Sequence, residues 1–215
     1  MGTARSGGAE LFRRLPDDSA ELRIVDGFAE CIDRWGFDKT TIGDVARAAG
    51  MSRATVYRAV PGGKTAILEL HRRHRVACFF GDLDAAVSPD AELDELVVAV
   101  LHAAARLLAD DQTFQRRLVE HPDQLLPELT FRGLDRIFAA CRVFVAGRLE
   151  PHLDATAAAR TAEWFARLVL WHALDERAPT DLTDLDQVRA FASDRILPAL
   201  RATTTTTTTL GDDAP

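Results

Sequence analysis

The chain has 215 residues, 47% hydrophobic and 27% charged, with a formal net charge of −7. That is enough apolar content for a small domain and a larger one, and the acidic balance excludes a protein that coats nucleic acid with its whole surface. Cys31, Cys78 and Cys141 are odd in number and far apart, which implies no disulfide framework, and no run of about 18 apolar residues exists to cross a membrane.

Residues 1–17 read as a flexible arm without a signal-peptide core. Its Arg5, Arg13 and Arg14 suit a phosphate or minor-groove contact, and a disordered terminus is the simpler reading. Asp18 with Glu21 gives a capping-box-like start, and Leu22, Val25, Phe28, Ala29 and Ile32 mark a helix ending near Trp35-Gly36.

The next stretch, TTIGDVARAAGMSRATVYRAVPGGK over residues 40–64, is the most informative of the chain. Thr41 and Asp44 have capping-box spacing. Ile42, Val45, Ala46 and Ala49 recur at helical period, and Gly50 stands where a left-handed turn residue is needed. Ser52 is a second N-cap, opening a helix to about Ala59 that Pro61 and Gly62 stop. Small Ala46, Ala48, Ala49 and Ala54 permit close helix approach. Two short helices joined by a tight turn form a helix-turn-helix, whose second helix enters the major groove. Charge agrees: residues 1–80 hold 13 basic and 10 acidic side chains, whereas residues 81–215 hold 13 and 23. From Thr40 to Lys64 the sole acid is Asp44, against Arg47, Arg53, Arg58 and Lys64.

Further helices are predicted from Lys64 to about Ala86, Leu93 to Ala109, Thr113 to Glu120, near Pro127 to Leu149, Ala155 to Ala173 and Leu185 to Leu200. No β-period segment of any length appears. The expected fold is all-α with about nine helices: an N-terminal three-helix helix-turn-helix module, 18–63, and a larger C-terminal helical ligand-binding and dimerisation domain, 64–202. The threonine run opens a disordered tail, 203–215.

The segment from Leu22 to Leu70 resembles the N-terminal domain of the tetracycline-repressor-like (TetR) transcription regulators. The resemblance rests on Trp35-Gly36-Phe37, Thr40 to Ala46, Ala49-Gly50-Met51-Ser52, Thr55-Val56-Tyr57-Arg58 and Pro61. It implies a homodimeric regulator, a repressor by default, that binds a palindromic double-stranded DNA operator and carries a divergent ligand-sensing C-terminal domain; the unpaired cysteines make a reducing cytoplasm its expected compartment. The family places hydroxyls and a lysine on phosphates, roles that fall here to Thr41, Thr55, Tyr57 and Lys64. Ser52 opens the recognition helix. Arg53 and Ala54 are candidates for base edges, since arginine pairs with guanine and alanine meets a thymine methyl, with phosphate an equal alternative for Arg53. Arg58 faces solvent or supports the backbone contact. Thr41 reads equally as a plain cap and Tyr57 as a core ring. Two departures stand out: Ala59-Val60 replace a common aromatic pair, and the Pro61-Gly62-Gly63-Lys64 linker is one residue longer than usual.

The resemblance also implies that the last two helices form the dimer interface, with Trp164, Phe165, Leu168 and Phe191 as candidates. The Glu163–Trp171 stretch is more apolar than one-sided packing needs, which a second subunit or burial within one chain would satisfy. Phe79, Phe114, Phe131, Phe138, Phe144 and Trp171 are candidates to line a cavity for a hydrophobic small-molecule effector, each with ordinary core packing as its alternative. Arg116, Arg117, Arg132 and Arg136 offer an anionic head group a partner. The rival reading is a metal-responsive regulator using His71, His74 and Cys78, at i, i+3 and i+7, with His102, His121 and Cys141. No catalytic motif, cofactor motif or membrane partner is indicated.

Overall fold

The computed structural model describes residues 13–120, 122–125, 134–175 and 177–202. Every regular element among them is helical: α1 (Ala20–Lys39), α2 (Ile42–Ala48), α3 (Arg53–Ala59), α4 (Gly63–Ala86), α5 (Leu93–Asp110), α6 (Gln112–Glu120), the single turn α7 (Pro122–Leu125), α8 (Leu134–Leu149), α9 (Ala155–Leu174) and α10 (Leu185–Phe191). Expected Phe131, Arg132 and His121, the start of the helix placed near Pro127, residues 1–12 of the arm and the 203–215 tail lie outside the described residues.

The chain divides into two compact units, Met1–Cys78 and Phe79–Pro215. The sequence places the boundary at residues 63 and 64, and in the structure the first turns of α4 pack with the N-terminal core. Ile67 is fully buried there. The His71 ring meets Phe28 edge-on, 6.0 Å between centroids, and His74 Nδ1 accepts from the Leu15 N–H at 3.2 Å.

The N-terminal core is built from Ile24, Phe28 and Cys31 of α1, Val45 and Ala46 of α2, and Val56 of α3, together with Val60 and Ile67. Gly27 is glycine because α1 and the end of α2 touch. A Cβ at that position would lie 2.9 Å from the Ala49 nitrogen. The start of α1 differs from the expected Asp18–Glu21 box: Ser19 is the N-cap, its hydroxyl accepting from Leu22 N–H at 3.0 Å. Gly36, at φ 78°, breaks the helical path where the sequence ends the helix, and the chain makes one more turn to Lys39. Buried Thr40 closes that turn, its hydroxyl donating to Gly36 O at 2.8 Å.

In the C-terminal unit α9 packs mainly on α8 and α5. Ala157, Ala158 and Ala162 keep the approach close, and Phe165 and Val169 fill the core with Leu101 and Val145. Asp154 caps α9 by accepting from Thr156 and Ala157 N–H, and Asp184 caps α10 by accepting from Asp186 and Gln187 N–H. The predicted straight helix from Leu185 to Leu200 is interrupted by a π turn, Ala192–Ile196. Pro198 follows after Leu197. It has no N–H, its ring crowds the preceding turn, and a widened turn relieves both problems.

Candidate nucleic-acid interface

Local sequence sets the geometry of the helix-turn-helix. The capping box at the start of α2 is complete: Asp44 N–H donates to Thr41 Oγ1 at 3.3 Å, and Thr41 N–H donates to Asp44 Oδ2 at 3.2 Å. The Thr41 hydroxyl also donates to Asp44 Oδ2 at 2.6 Å, and Arg47 donates to Oδ1 at 3.1 Å. The Thr41 hydroxyl, then its N–H, then the Arg47 guanidinium hold the Asp44 carboxyl below its usual range, outweighing slight desolvation. Thr41 is therefore a cap here, with its hydroxyl proton turned inward toward Asp44.

After α2, Gly50 takes φ 65°, a left-handed conformation that glycine adopts without penalty. Ser52 then caps α3, accepting from Thr55 N–H at 3.1 Å, with the two hydroxyl oxygens 2.9 Å apart. Val56 and Val60 hold one side of α3 in the core. Arg53, Ala54, Tyr57 and Arg58, at i, i+1, i+4 and i+5, share the opposite, exposed side. Tyr57 is 52% exposed, so the core-ring alternative is corrected. Its Cε1 comes close to Gly63, 3.8 Å from where a Cβ would sit.

Three features escape a local reading. The Arg23 guanidinium donates to Ala49 O at 2.7 Å and so fastens α1 to the turn. Arg53 folds back along α2 onto Gly43, where a Cβ would come within 2.4 Å of Nη2. Lys64 is a strut: its ammonium donates to Phe37 O at 2.9 Å and Asp38 O at 3.4 Å, and lies 4.3 Å from the centre of the Phe37 ring. Those carbonyls belong to the last turn of α1, where a cation is favoured.

A fixed helix with arginines, a tyrosine hydroxyl and small side chains on its free face, beside one acid already committed to its own cap, suits the DNA backbone and base edges. Residues 24–69 match the model of the bacterial regulatory proteins of the tetR family. The chain thus carries a TetR-type N-terminal DNA-binding domain. The uncharacterized HTH-type transcriptional regulator Rv2250c of Mycobacterium tuberculosis is 33% identical over 100 residues, 45% of this chain and 50% of the relative. Mb2274c of Mycobacterium bovis, under the same description, is 33% identical over 104 residues, with the same shares covered. The chain thus spans about half the length of the curated relatives it matches. Among solved structures, the TetR family repressor AlkX from Dietzia sp. strain DQ12-45-1b, implicated in biodegradation of n-alkanes, has a TM-score of 0.58 at 21% identity, covering 88% of this chain and 99% of AlkX. The fatty acid degradation regulator FadR from Bacillus halodurans has a TM-score of 0.56 at 14% identity, covering 82% of this chain and 96% of FadR. At these identities the likeness is one of fold.

The C-terminal unit distributes the other expected residues unevenly. A cavity of about 320 Å³ in this unit is walled by α5, α6, the end of α9 and the segment after it, and among the described residues no phenylalanine, tyrosine or tryptophan lines it. The rings expected to line an effector cavity make other contacts. Phe79 packs on Phe80, Phe144 lies between Phe80 and the Arg148 guanidinium, and Phe138 lies under the Arg167 guanidinium at 4.3 Å. Half-buried Phe114 donates its N–H to Asp111 Oδ1. Trp171 is 52% exposed. Of the expected interface residues, Phe165 is buried in its own chain at 2% exposure, which removes it from a shared surface. Trp164 is exposed, and Leu168 and Phe191 are half-buried.

The metal-ligand set also fails to converge. Among the described residues no three of His, Cys, Asp and Glu form a group able to hold a metal. His74 Nε2 lies 3.5 Å from Cys78 Sγ, His71 packs on Phe28, and His102 Nδ1 lies 3.3 Å from Leu182 O. Burial pushes the Cys141 thiol up to about 12. Among the described residues no helix is long and apolar enough to cross a membrane.

Proposed function

We propose that this chain is a homodimeric, sequence-specific transcriptional repressor that binds a palindromic operator and is released by a hydrophobic small molecule bound in its C-terminal unit. The observation that carries the reading is the exposed face of α3, Arg53, Ala54, Tyr57 and Arg58, on a helix whose other side is locked in the core. In this proposal Arg53 and Ala54 meet base edges, while Ser52, Thr55, Tyr57 and Arg58 meet phosphates. Thr41 joins them when its hydroxyl turns from Asp44, and Lys64 through the N–H it keeps beyond its two carbonyls. Two such helices have to reach half-sites about 34–36 Å apart, which requires two subunits. Trp164 and Trp171, with Leu168 between them, supply an apolar face for the partner. The effector acts by binding the conformation that does not fit the operator more tightly than the one that does.

The test is binding of the purified chain to the DNA upstream of its own gene, against a shuffled duplex, across a salt series. A repressor of this kind prefers the natural fragment and loses roughly 10³-fold or more in affinity between about 50 and 200 mM salt if it makes six or more phosphate contacts. Equal binding of both duplexes at every salt concentration refutes the proposal.

A further inference from the structure

We infer that His74 is an acid-sensitive latch for the segment that leads into α1. As a neutral ring it accepts the Leu15 backbone N–H and holds residues 13–15 on α4; as a cation it lets them go. The latch is independent of operator binding, and every group in it belongs to the N-terminal unit.

Two bonds tie the start of the described chain to α4. The Leu15 N–H donates to His74 Nδ1 at 3.2 Å, and the Arg14 guanidinium donates to Cys78 O at 2.9 Å, one turn further along the helix. Residues 13–15 belong to no regular element, so contacts of this kind set their place. Leu15 is half-buried, whereas its neighbours Arg13, Arg14, Pro16, Asp17 and Asp18 are exposed. The chain then turns, Ser19 N–H donating to Pro16 O at 3.0 Å, and enters α1.

The protons fix the state of the ring. A backbone N–H can only donate, so Nδ1 is a lone pair and the neutral imidazole carries its hydrogen on Nε2. Nε2 is also the nitrogen nearer Cys78 Sγ, 3.5 Å against 4.0 Å for Nδ1. The sulfur is a weak acceptor for that hydrogen. The neutral ring thus has a use for both nitrogens. Imidazolium carries a hydrogen on each, so protonation sets N–H against N–H at Leu15 and the bond is lost.

The surroundings set the direction of the response. Burial holds the His74 ring below its ordinary value of 6.5. The Asp26 carboxylate of α1 opposes that shift, while the guanidiniums of Arg14, in the latched segment, and Arg75, on α4, add to it. Cys78 is the titratable neighbour one turn on. A cationic His74 also repels Arg14 and weakens the second bond. The ring is therefore neutral at pH 7 and gains its proton only as pH falls through a value under 6.5, so the latch is shut at neutral pH and opens in acid.

Nitrogen NMR of the labelled full chain, from about pH 7.5 to about pH 4.5, tests the inference. At the upper end the His74 ring should carry hydrogen on Nε2 and none on Nδ1. The Leu15 amide should titrate with the midpoint of His74, and its exchange with water, corrected for pH, should rise about fivefold, as for loss of one hydrogen bond. Core Val56 should keep its protection throughout. His74→Asn puts an amide oxygen near the place of Nδ1 and has no proton to gain, so residues 13–15 should stay held in acid. His74→Leu has no acceptor and should leave them loose at every pH. Hydrogen on Nδ1 at neutral pH, a Leu15 amide that stays protected through the His74 titration, a His74→Asn chain that opens with the parent's midpoint, or a His74→Leu chain as ordered as the parent each overturns the inference. So does loss of Val56 protection at the same midpoint, which would mean general unfolding.

Discussion

The guanidinium of Arg53 rests on the Cα of Gly43, so that a methyl group at Gly43 would stand 2.4 Å from Nη2, 2.9 Å from Nε and 3.0 Å from Cζ. The first residue of the recognition helix is thus seated on the helix before it. A glycine inside a helix costs roughly 0.5–1 kcal/mol relative to alanine, so its presence in α2 calls for a compensating contact. Gly43→Ala should leave the melting temperature equal or slightly higher, because only the end of a flexible side chain has to move. Operator affinity should fall several-fold, and in a double-mutant cycle with Arg53→Ala the two losses should not add. Operator binding by Gly43→Ala equal to that of the parent chain would show that the seat has no role in DNA recognition.

The bond from Arg23 to Ala49 O, at 2.7 Å, predicts a different pattern. It ties α1 to a carbonyl at the end of α2, just before the turn. Arg23→Met keeps much of the aliphatic stem and should cost about 1 kcal/mol of stability, the usual worth of one such bond. Because the turn sets the angle of α3, operator affinity should fall more than affinity for random DNA. A uniform fall on both duplexes, measured by competition, would mean that Arg23 contributes only charge.

Asp44 carries a pH prediction. Its folded-state carboxyl titrates below the ordinary value of 3.8, chiefly because the Thr41 hydroxyl donates to it. A depressed carboxylate adds stability that is fully present above the ordinary value and is lost as pH falls through the lower, folded one. Asp44→Asn should therefore melt below the parent at neutral pH, with the gap closing only under acid conditions, below about pH 4. Thermal melts from pH 7 down to pH 2.5 check this, and a gap that persists unchanged into strong acid would remove the carboxylate from the explanation.

What the sequence reveals about this domain is local. Thr41, Asp44, Gly50 and Ser52 act within four residues of themselves, and their caps and turn could be read directly. Arg23 with Ala49, Lys64 with Phe37 and Arg53 with Gly43 are separated in sequence and share no repeating pattern, so no periodicity points to them. In the C-terminal unit, helical period located the helices but not the use of their aromatic rings, which found guanidinium and ring partners. The cavity was hidden because alanines and loop polar residues from four segments line it. Pro198 inside an apolar-periodic helix was the available sign of the π turn.

Thiol reactivity separates the three cysteines. Burial pushes the Cys141 thiol up to about 12, and burial, then the charges of Asp44 and Glu30, raise that of buried Cys31. Alkylation needs the thiolate and access to it. Iodoacetamide at about pH 8 should label half-buried Cys78 first and leave Cys31 and Cys141 unmodified until the protein unfolds. Peptide mass mapping reads the order, and early labelling of Cys141 would contradict its packing.

Trp164 and Trp171, 42% and 52% exposed, stand two turns apart on α9, and half-buried Leu168 lies between them. Aromatic side chains gain the most from burial and are enriched at subunit interfaces, so leaving two of them in water on one helix is costly for a monomer. Arg167, between them in sequence, is held by Glu163 and by the Phe138 ring, which keeps its charge to one side of the stripe. Trp164→Glu/Trp171→Glu places like charges on a two-fold-related surface and leaves buried Phe165 in place, removing only the Trp164 ring 5.7 Å from it. Light scattering should then report a monomer for the variant and the proposed dimer for the parent chain. Operator binding should fall at least tenfold, because each subunit then holds a single half-site while the helix-turn-helix stays intact. A double variant that remains dimeric would place the subunit contact on another face of the C-terminal unit.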